Sequence, residues 1–171
     1  PHPGFDVGAR IGLRAAGGDI GAFNLLGTGV AALVVATADT KPNVQAGKDL
    51  KLAWTPPSAS SAARVHVALN INEHGSTSAR ILCDAPDTGT FAVPAALLDA
   101  LRALGTSGFP SLSLSRRTVD SASLALGCVE LIVRSDVELT PSVDGVVSCT
   151  ADKQCPGGQI CSKELACTDK K

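Results

Sequence analysis

Cysteines carry the clearest chemistry in this sequence. Four of the six recur with five residues between successive cysteines, in a C-x5-C-x5-C-x5-C pattern from Cys149 to Cys167. A segment of about 20 residues cannot bury enough apolar surface to fold by itself, so it needs disulfides or a metal ion. Zinc modules usually use closely spaced cysteine pairs or histidines, and this segment has neither. The pattern therefore favours disulfides.

The pairing within this segment is open, because four cysteines allow three connectivities and sequence does not choose among them. The even spacing, with Pro-Gly-Gly between the middle cysteines, is typical of crossed bonds. We expect Cys149–Cys161 and Cys155–Cys167. Such a segment predicts an oxidising compartment, either outside the cell or in its envelope.

The remaining two cysteines, Cys83 and Cys128, lie in strand-like runs. A bond between them would close a long loop, worth about 4 kcal/mol in the chain-entropy account of disulfides. The alternative is two free thiols that pack as small apolar side chains. We expect the bond, because the compartment is already predicted to be oxidising.

Acid–base and metal-binding groups are sparse. His66 and His74, with Glu73, could hold a metal if the following strand folds back, but two solvated histidines around a hairpin are the preferred interpretation. Asp84 and Asp87 could bind calcium or serve hydrolysis, but side chains that stabilise a turn explain them better. Neither a G-x-S-x-G nor an H-E-x-x-H motif is present. We expect no enzyme, no cofactor and no metal site.

Basic side chains supply the candidate partner contacts. Arg116 and Arg117 end a serine-rich strand, where they could bind an acidic partner or simply protect the strand edge. Lys153 and Lys163 lie in the cystine-rich tail and could enter the pocket of a trypsin-like protease.

The elements that must position these groups are mainly strands. Apolar and polar residues alternate in several runs, which indicates half-buried antiparallel strands. The candidates are Ile20–Leu26, Val30–Ala36, Asp49–Trp54, Arg64–Asn72, Arg80–Cys83, Thr90–Val93 and Leu112–Leu114. One helix is predicted over Pro94–Leu104, from a leucine stripe between an N-terminal proline and a following glycine. In Ser123–Thr140 the apolar phase shifts by one residue, which predicts a β-bulge or bend near Cys128.

These elements predict a mainly β fold: an antiparallel β-sandwich with one short helix and a small disulfide-rich tail. We place the sandwich, with a Gly/Ala-rich N-terminal arm, at residues 1–145 and the cystine-rich module at 146–171. With Trp54 on an early strand and two later cysteines, the pattern resembles an immunoglobulin- or fibronectin-type sandwich. The tail, with its core phrase C-x5-C-P-x-G-Q-x-C, resembles cystine-rich segments appended to surface proteins and lipoproteins of myxobacteria. That resemblance implies a bacterial surface location and no particular activity.

Composition narrows the partners. The formal net charge of −1 gives no basic face for nucleic acid, and no apolar run reaches the length of a membrane span. Aromatic residues make up 3% of the chain, so a sugar ligand would be held mainly by hydrogen bonds. The chain starts at Pro1 and has no Met, which predicts a removed signal peptide.

The leading hypothesis is a secreted or cell-surface binding or adhesion module without catalysis, whose partner is an extracellular protein or polysaccharide. The first alternative is a self-associating structural subunit of a surface layer, fibre or appendage. The second is a protease inhibitor presented by the tail.

Overall fold

The computed structural model describes residues 4–36, 41–58, 61–75 and 79–170. Within these ranges the chain forms twelve strands and one α-helix. The strands are β1 (Arg10–Ala15), β2 (Phe23–Thr28), β3 (Asn43–Val44), β4 (Leu50–Ala53), β5 (Arg64–Asn70), β6 (Ile81–Pro86), β7 (Thr90–Val93), β8 (Ser111–Leu124), β9 (Gly127–Leu139), β10 (Ser142–Val143), β11 (Ile160–Cys161) and β12 (Cys167–Thr168), and the helix α1 is Ala95–Ala103.

A four-stranded antiparallel sheet, in the order β6-β5-β8-β9, forms the centre of the protein. We call it the main sheet. Alternation in β5 sends Val65, Val67 and Leu69 to one face, where all three are fully buried. The opposite, outer face carries polar side chains and no second layer among the described residues. On this face His66 lies opposite Asp84 on one side and Ser115 on the other.

The core lies between the inner face of the main sheet and a second layer built on the antiparallel pair β4–β7. A single bridge between Val35 and Trp54 extends that layer. Helix α1 closes one end, since its Leu98 and Leu101 are buried in the same core. The leucine stripe identified the helix correctly, but the helix begins one residue later than predicted, because Pro94 is its N-cap residue and not its first helical residue.

The N-terminal hairpin β1–β2 covers the far half of the β8–β9 hairpin. The edge of β2 that does not pair with β1 forms hydrogen bonds with side chains of β8, and not with the backbone of another described strand. The amide of Leu26 donates to Asp120 and the hydroxyl of Thr118 donates to the carbonyl of Thr28. Gly27 sits so close to Val133 that a Cβ would overlap that side chain. The predicted Gly/Ala-rich arm is therefore an ordered hairpin over the residues described.

The phase shift near Cys128 has a different origin from the predicted bulge. β8 ends at Leu124 and β9 starts at Gly127, so a two-residue turn separates two strands of one long hairpin. The pairing between them is continuous, with Ser123 opposite Cys128 and Leu112 opposite Leu139. The bulge prediction was wrong, because a two-residue turn shifts the alternation just as one extra strand residue does.

The tail contains the two expected disulfides, Cys149–Cys161 and Cys155–Cys167. It is also docked on the body. The Gly108 amide donates to the Glu164 carbonyl at 2.8 Å, and the Phe109 amide donates to the Ser148 hydroxyl at 2.9 Å. Cys149 is fully buried at this junction.

The expected bond between Cys83 and Cys128 is absent, and both thiols are free. Cys83 aligns across the main sheet with Val137 on β9, through Val67 and Leu114. Cys128 lies nine residues further along β9, which is about 30 Å at strand spacing. A disulfide requires Cα atoms within about 7 Å, so these two cysteines cannot be joined in this fold.

The predicted fold class is confirmed in its main features: the protein is mainly β, its large sheet is antiparallel, and it has one short helix and a disulfide-rich tail. Val30–Ala36 is the exception among the predicted strands, since it contributes only the bridge at Val35. In the described ranges, the single helix is too short to cross a bilayer.

Candidate functional site

The paired arginines separate to opposite faces of the main sheet, because adjacent residues of a strand point in opposite directions. Arg116 follows Leu112 and Leu114 on the inner face and is 1% exposed. Arg117 lies on the outer face with its side chain 26% exposed. The pair therefore does not act as one basic contact.

Arg116 is a structural residue, and its predicted role as a partner contact was wrong. Its guanidinium forms two bonds to the Asp87 carboxylate, at 2.6 and 3.0 Å. The other N–H groups donate to the carbonyls of Ala31, Ala32 and Thr55. A guanidinium has five N–H donors, so every one is satisfied and none is left for a ligand.

Asp87 is likewise committed to the interior. It accepts a hydrogen bond from the Trp54 indole at 2.8 Å in addition to the two from Arg116. Asp84 instead lies on the outer face, where it pairs with Arg64. The two carboxylates thus belong to different sides of the sheet and do not form the shared calcium or hydrolytic site that was considered.

A cluster of hydrogen-bond donors lies at the centre of the outer face. We call it the Arg117 cluster, and it consists of Arg117, His66 and Ser115. One Arg117 nitrogen lies 3.1 Å from His66 Nδ1 and 3.6 Å from an Asp84 carboxylate oxygen. The Nε and the other terminal nitrogen of Arg117 have no partner in the part of the chain that is described.

His66 is held in its neutral form. Burial lowers the pKa of His66 below its usual 6.5, and the positive charge of Arg117 lowers it further. Since a guanidinium only donates, Nδ1 of the imidazole accepts from Arg117 and the ring proton lies on Nε2. Nε2 is therefore a donor, with no partner in the ranges described.

Ser115 completes the cluster from the strand opposite His66. The residue is 7% exposed, and its hydroxyl is a buried polar group without a hydrogen-bond partner among the described residues. Buried hydroxyls normally have a partner, so an unsatisfied one needs an explanation. It lies between His66 and Asp136 on one rung of the sheet.

Polar side chains continue from the cluster along β8 toward Glu73. Serines at positions 111 and 113 continue the outer face along β8, and Ser111 donates to the Glu73 carboxylate at 3.1 Å. A shallow cavity of about 160 Å³ lies there, lined in part by Glu73, Arg80 and Ser113. Arg134, on the far side of Arg117, is paired with Asp136 at 3.0 Å. Burial and the neighbouring Asp136 raise the pKa of Glu138 above its usual value.

The histidines do not form the metal cluster that was considered. His74 is in a turn at the end of the sheet, where its amide donates to the Ser107 hydroxyl and its ring lies edge-on to Phe109. Among the described residues, one set of potential metal ligands lies close together, namely the sulfur atoms of Cys149, Cys155 and Cys167. All three are in disulfides and hence unavailable as thiolate ligands.

The two lysines proposed for protease binding are exposed but lie in tight turns. Lys153 is inside a short 3-10 turn, Asp152–Gln154. Lys163 is in a turn closed by a hydrogen bond from the Leu165 amide to the Ser162 carbonyl. Peptides that bind alongside a β-strand do so in an extended form, so neither turn has the shape of a strand-like inhibitory loop.

Sequence reasoning named Arg117 and His66 separately but did not bring them together with Ser115, and it missed the Asp87–Arg116 pair. The signal for the latter was present: Leu112 and Leu114 face the core, so the same period-2 alternation places Arg116 inward.

Comparison with known proteins adds no relationship at this point. No protein-family model matches the chain, and neither a curated protein nor a solved structure matches it.

Proposed function

We propose that this protein is a non-catalytic binding module of the cell exterior or envelope, and that the outer face of the main sheet binds an acidic polysaccharide. The observation that carries the proposal is the Arg117 cluster. It joins a guanidinium with free N–H groups and an imidazole N–H on a sheet face that no other described element covers, next to the buried, unsatisfied hydroxyl of Ser115.

A carboxylate or sulfate is the group that fits this donor set. Arginine N–H groups form short, charge-assisted hydrogen bonds to such anions, in a two-pronged geometry when two nitrogens are free. Asp84 and Asp136 flank the cluster as acceptors for sugar hydroxyls. An acidic sugar presents both an anionic group and hydroxyls, and so matches the arrangement.

The character of the face favours a polysaccharide over a protein partner. Protein interfaces depend on a few buried aromatic or large apolar side chains. The outer face of the main sheet instead carries mainly serines, charged residues and His66; its exposed large apolar side chains are Leu82, Val119 and Ile132, and none of its four strands contains Phe, Trp or Tyr. Polar recognition through hydrogen bonds is therefore the better match.

The geometry also argues against a serine nucleophile in the Arg117 cluster. Ser115 lies opposite His66 but makes no hydrogen bond to it, and His66 Nδ1 is occupied by Arg117. A serine nucleophile needs an adjacent base within hydrogen-bond reach. The two disulfides support an oxidising compartment, which agrees with a secreted or envelope location.

Isothermal titration with three polymers tests the proposal: a polyuronate, a sulfated glycan and a neutral glucan of matched length. We expect the two acidic polymers to bind and the neutral one not to bind. Arg117→Gln removes the charged donor and should weaken binding about tenfold. Arg14→Gln, on the exposed face of β1, is the matched control and should leave binding unchanged.

Two outcomes would contradict the proposal. One is no binding of either acidic polymer, and the other is an equal loss for Arg117→Gln and Arg14→Gln. The second outcome would mean that the polymers bind by unspecific charge attraction, which any surface arginine supports.

A further inference from the structure

Strand β9 lies at one edge of the main sheet, and the side of β9 that faces away from β8 is open. It pairs with β8 on one side, and no described strand pairs with it on the other. β9 is 13 residues long, more than twice the usual five or six. The opposite edge strand, β6, has six residues and ends at Pro86.

Exposed edges are usually protected by charged side chains, a proline, a bulge or an inward-pointing charge. β9 carries outward-facing charges at Glu130, Arg134, Asp136 and Glu138, but none of the other three protections. Its sequence contains no proline, its register with β8 is continuous, and its inward side chains are apolar apart from Ser135. An edge of this length, with charges of both signs, is suited to pairing with a strand whose charges are complementary.

The hairpin fixes which residues of β9 face that edge. Leu124 and Gly127 flank a two-residue turn, and residues in that position exchange both hydrogen bonds. Hydrogen-bonded and non-bonded pairs then alternate along the ladder. Odd-numbered residues of β9 therefore bond to β8, and even-numbered residues present their N–H and C=O groups to the open edge.

We propose that β9 pairs in an antiparallel manner with β9 of a second copy of this chain, with Ile132 opposite Ile132. This register places Glu130 opposite Arg134 of the second copy, and Arg134 opposite Glu130, by two-fold symmetry. All of these residues are even-numbered, so their backbone groups face each other. The side chains of Ile132, Glu130 and Arg134 are exposed, with Ile132 at 39%.

Neighbouring symmetric registers match less well. Centring on Arg134 puts two arginines together and Glu130 against Glu138, and centring on Val133 puts Glu130 against Asp136. Centring on Ser135 pairs Arg134 with Asp136 but leaves Ile132 opposite Glu138. Like charges directly opposite each other destabilise a strand pair. The Ile132 register alone combines two opposite-charge pairs with an apolar centre.

The pairing is non-covalent. Cys128 lies opposite Asp136 of the second copy, and the two Cys128 residues are eight positions apart along the strands, about 27 Å. The result is a continuous eight-stranded sheet across the two copies. The proposal does not depend on the polysaccharide proposal, because it uses the edge of the sheet and not the Arg117 cluster.

Sedimentation equilibrium on the full chain tests this pairing. We expect a species of twice the 17.3 kDa chain mass that dissociates on dilution and runs as a monomer on a non-reducing denaturing gel. Arg134→Glu alone and Glu130→Arg alone should each raise the dimer dissociation constant about tenfold or more, since each creates two like-charge pairs. The combined exchange, Glu130→Arg with Arg134→Glu, should restore it to within about threefold.

The matched control exchanges two exposed charges away from the edge, Arg10→Glu with Glu164→Arg, and should leave the dissociation constant unchanged. A parent protein that stays monomeric at the highest soluble concentration overturns the proposal. So does a failure of the combined exchange to restore association after both single reversals have weakened it, because only the Ile132 register predicts that rescue.

Discussion

Arg116 and Asp87 form a two-pronged ion pair inside the protein, with Nε 2.6 Å and one terminal nitrogen 3.0 Å from the two carboxylate oxygens. Their side chains are 2% and 3% exposed. The same guanidinium holds the carbonyls of Ala32 and Thr55. One residue of β8 therefore ties together the segment after β2, the loop after β4 and the turn after β6.

Loss of this arginine should be severe. Arg116→Met leaves the Asp87 carboxylate buried without its counter-charge, and removing one member of a buried pair typically lowers the free energy of unfolding by about 3–5 kcal/mol. Arg117→Met changes the same side chain one residue further on, where the guanidinium is partly exposed, and should lower it by less than about 1 kcal/mol. Urea denaturation measures the unfolding free energy of both variants. Equal losses would contradict the expectation that the buried Arg116–Asp87 pair contributes more to stability than the partly exposed Arg117.

Ser115 should affect stability and not binding. Ser115→Ala removes a buried hydroxyl without a partner among the described residues, so the free energy of unfolding should stay the same or rise, by about 1 kcal/mol. Its affinity for the acidic polymer should stay unchanged, because the hydroxyl has no accessible surface that the polymer could contact. Ser111→Ala removes a hydroxyl that is bonded to Glu73, and should lower stability slightly without affecting binding. A clear loss of stability in Ser115→Ala would mean that the hydroxyl has a partner in solution.

His66 should make stability depend on pH near and below its usual pKa of 6.5. Its pKa is lowered in the folded state, so below 6.5 the unfolded chain binds more protons, and stability falls as the pH is lowered. The difference in unfolding free energy between the parent and His66→Asn isolates this contribution. The stability of the parent relative to His66→Asn should be constant above pH 6.5. It should fall below that pH, because the parent loses stability there through His66 and the variant does not. A flat difference would contradict a half-buried imidazole that stays neutral in the folded protein.

Binding of the acidic polymer should also depend on the protonation of His66, but it should strengthen as the pH falls, whereas stability decreases. Protonation of His66 adds a positive charge beside Arg117 and breaks the bond to Nδ1, which frees a further N–H of Arg117. Binding should therefore tighten as the pH falls below 6.5 in the parent, and less so in His66→Asn. Titrations at several pH values, at fixed ionic strength, measure this.

The junction between tail and body depends on a glycine. A Cβ at Gly108 would overlap the Leu165 carbonyl, so Gly108→Ala should push the tail away and lower the free energy of unfolding by about 1–3 kcal/mol. Exchange of the Phe109 amide, which is bonded to Ser148, should accelerate. Gly18→Ala has open space around the new Cβ and is the control. Unchanged Phe109 exchange in Gly108→Ala would contradict the tight junction.

Local patterns in the sequence were sufficient for the fold class. Alternation identified β4 and β5, the leucine stripe identified α1, and even cysteine spacing favoured the disulfides that the structure contains. These features depend on residues close together in the chain, or on a segment too short to fold otherwise.

The failures required information on distant parts of the chain. Cys83 and Cys128 both read as strand cysteines, but their separation is set by the order of strands in the main sheet and by the length of the β8–β9 hairpin. Ser115 and His66 become neighbours only through the register of β5 with β8. The doublet Arg116-Arg117 was taken as one basic feature, although the alternation of β8 separates its members.

The central claim is that the Arg117 cluster binds an anionic sugar, and amide chemical-shift mapping by NMR tests it most directly. On titration with a short uronate oligosaccharide, the largest shifts should fall on residues of β5 and β8 around His66, Ser115 and Arg117, and they should vanish in Arg117→Gln. Shifts centred on the tail or on the β1–β2 hairpin, or shifts that persist in Arg117→Gln, would contradict the account.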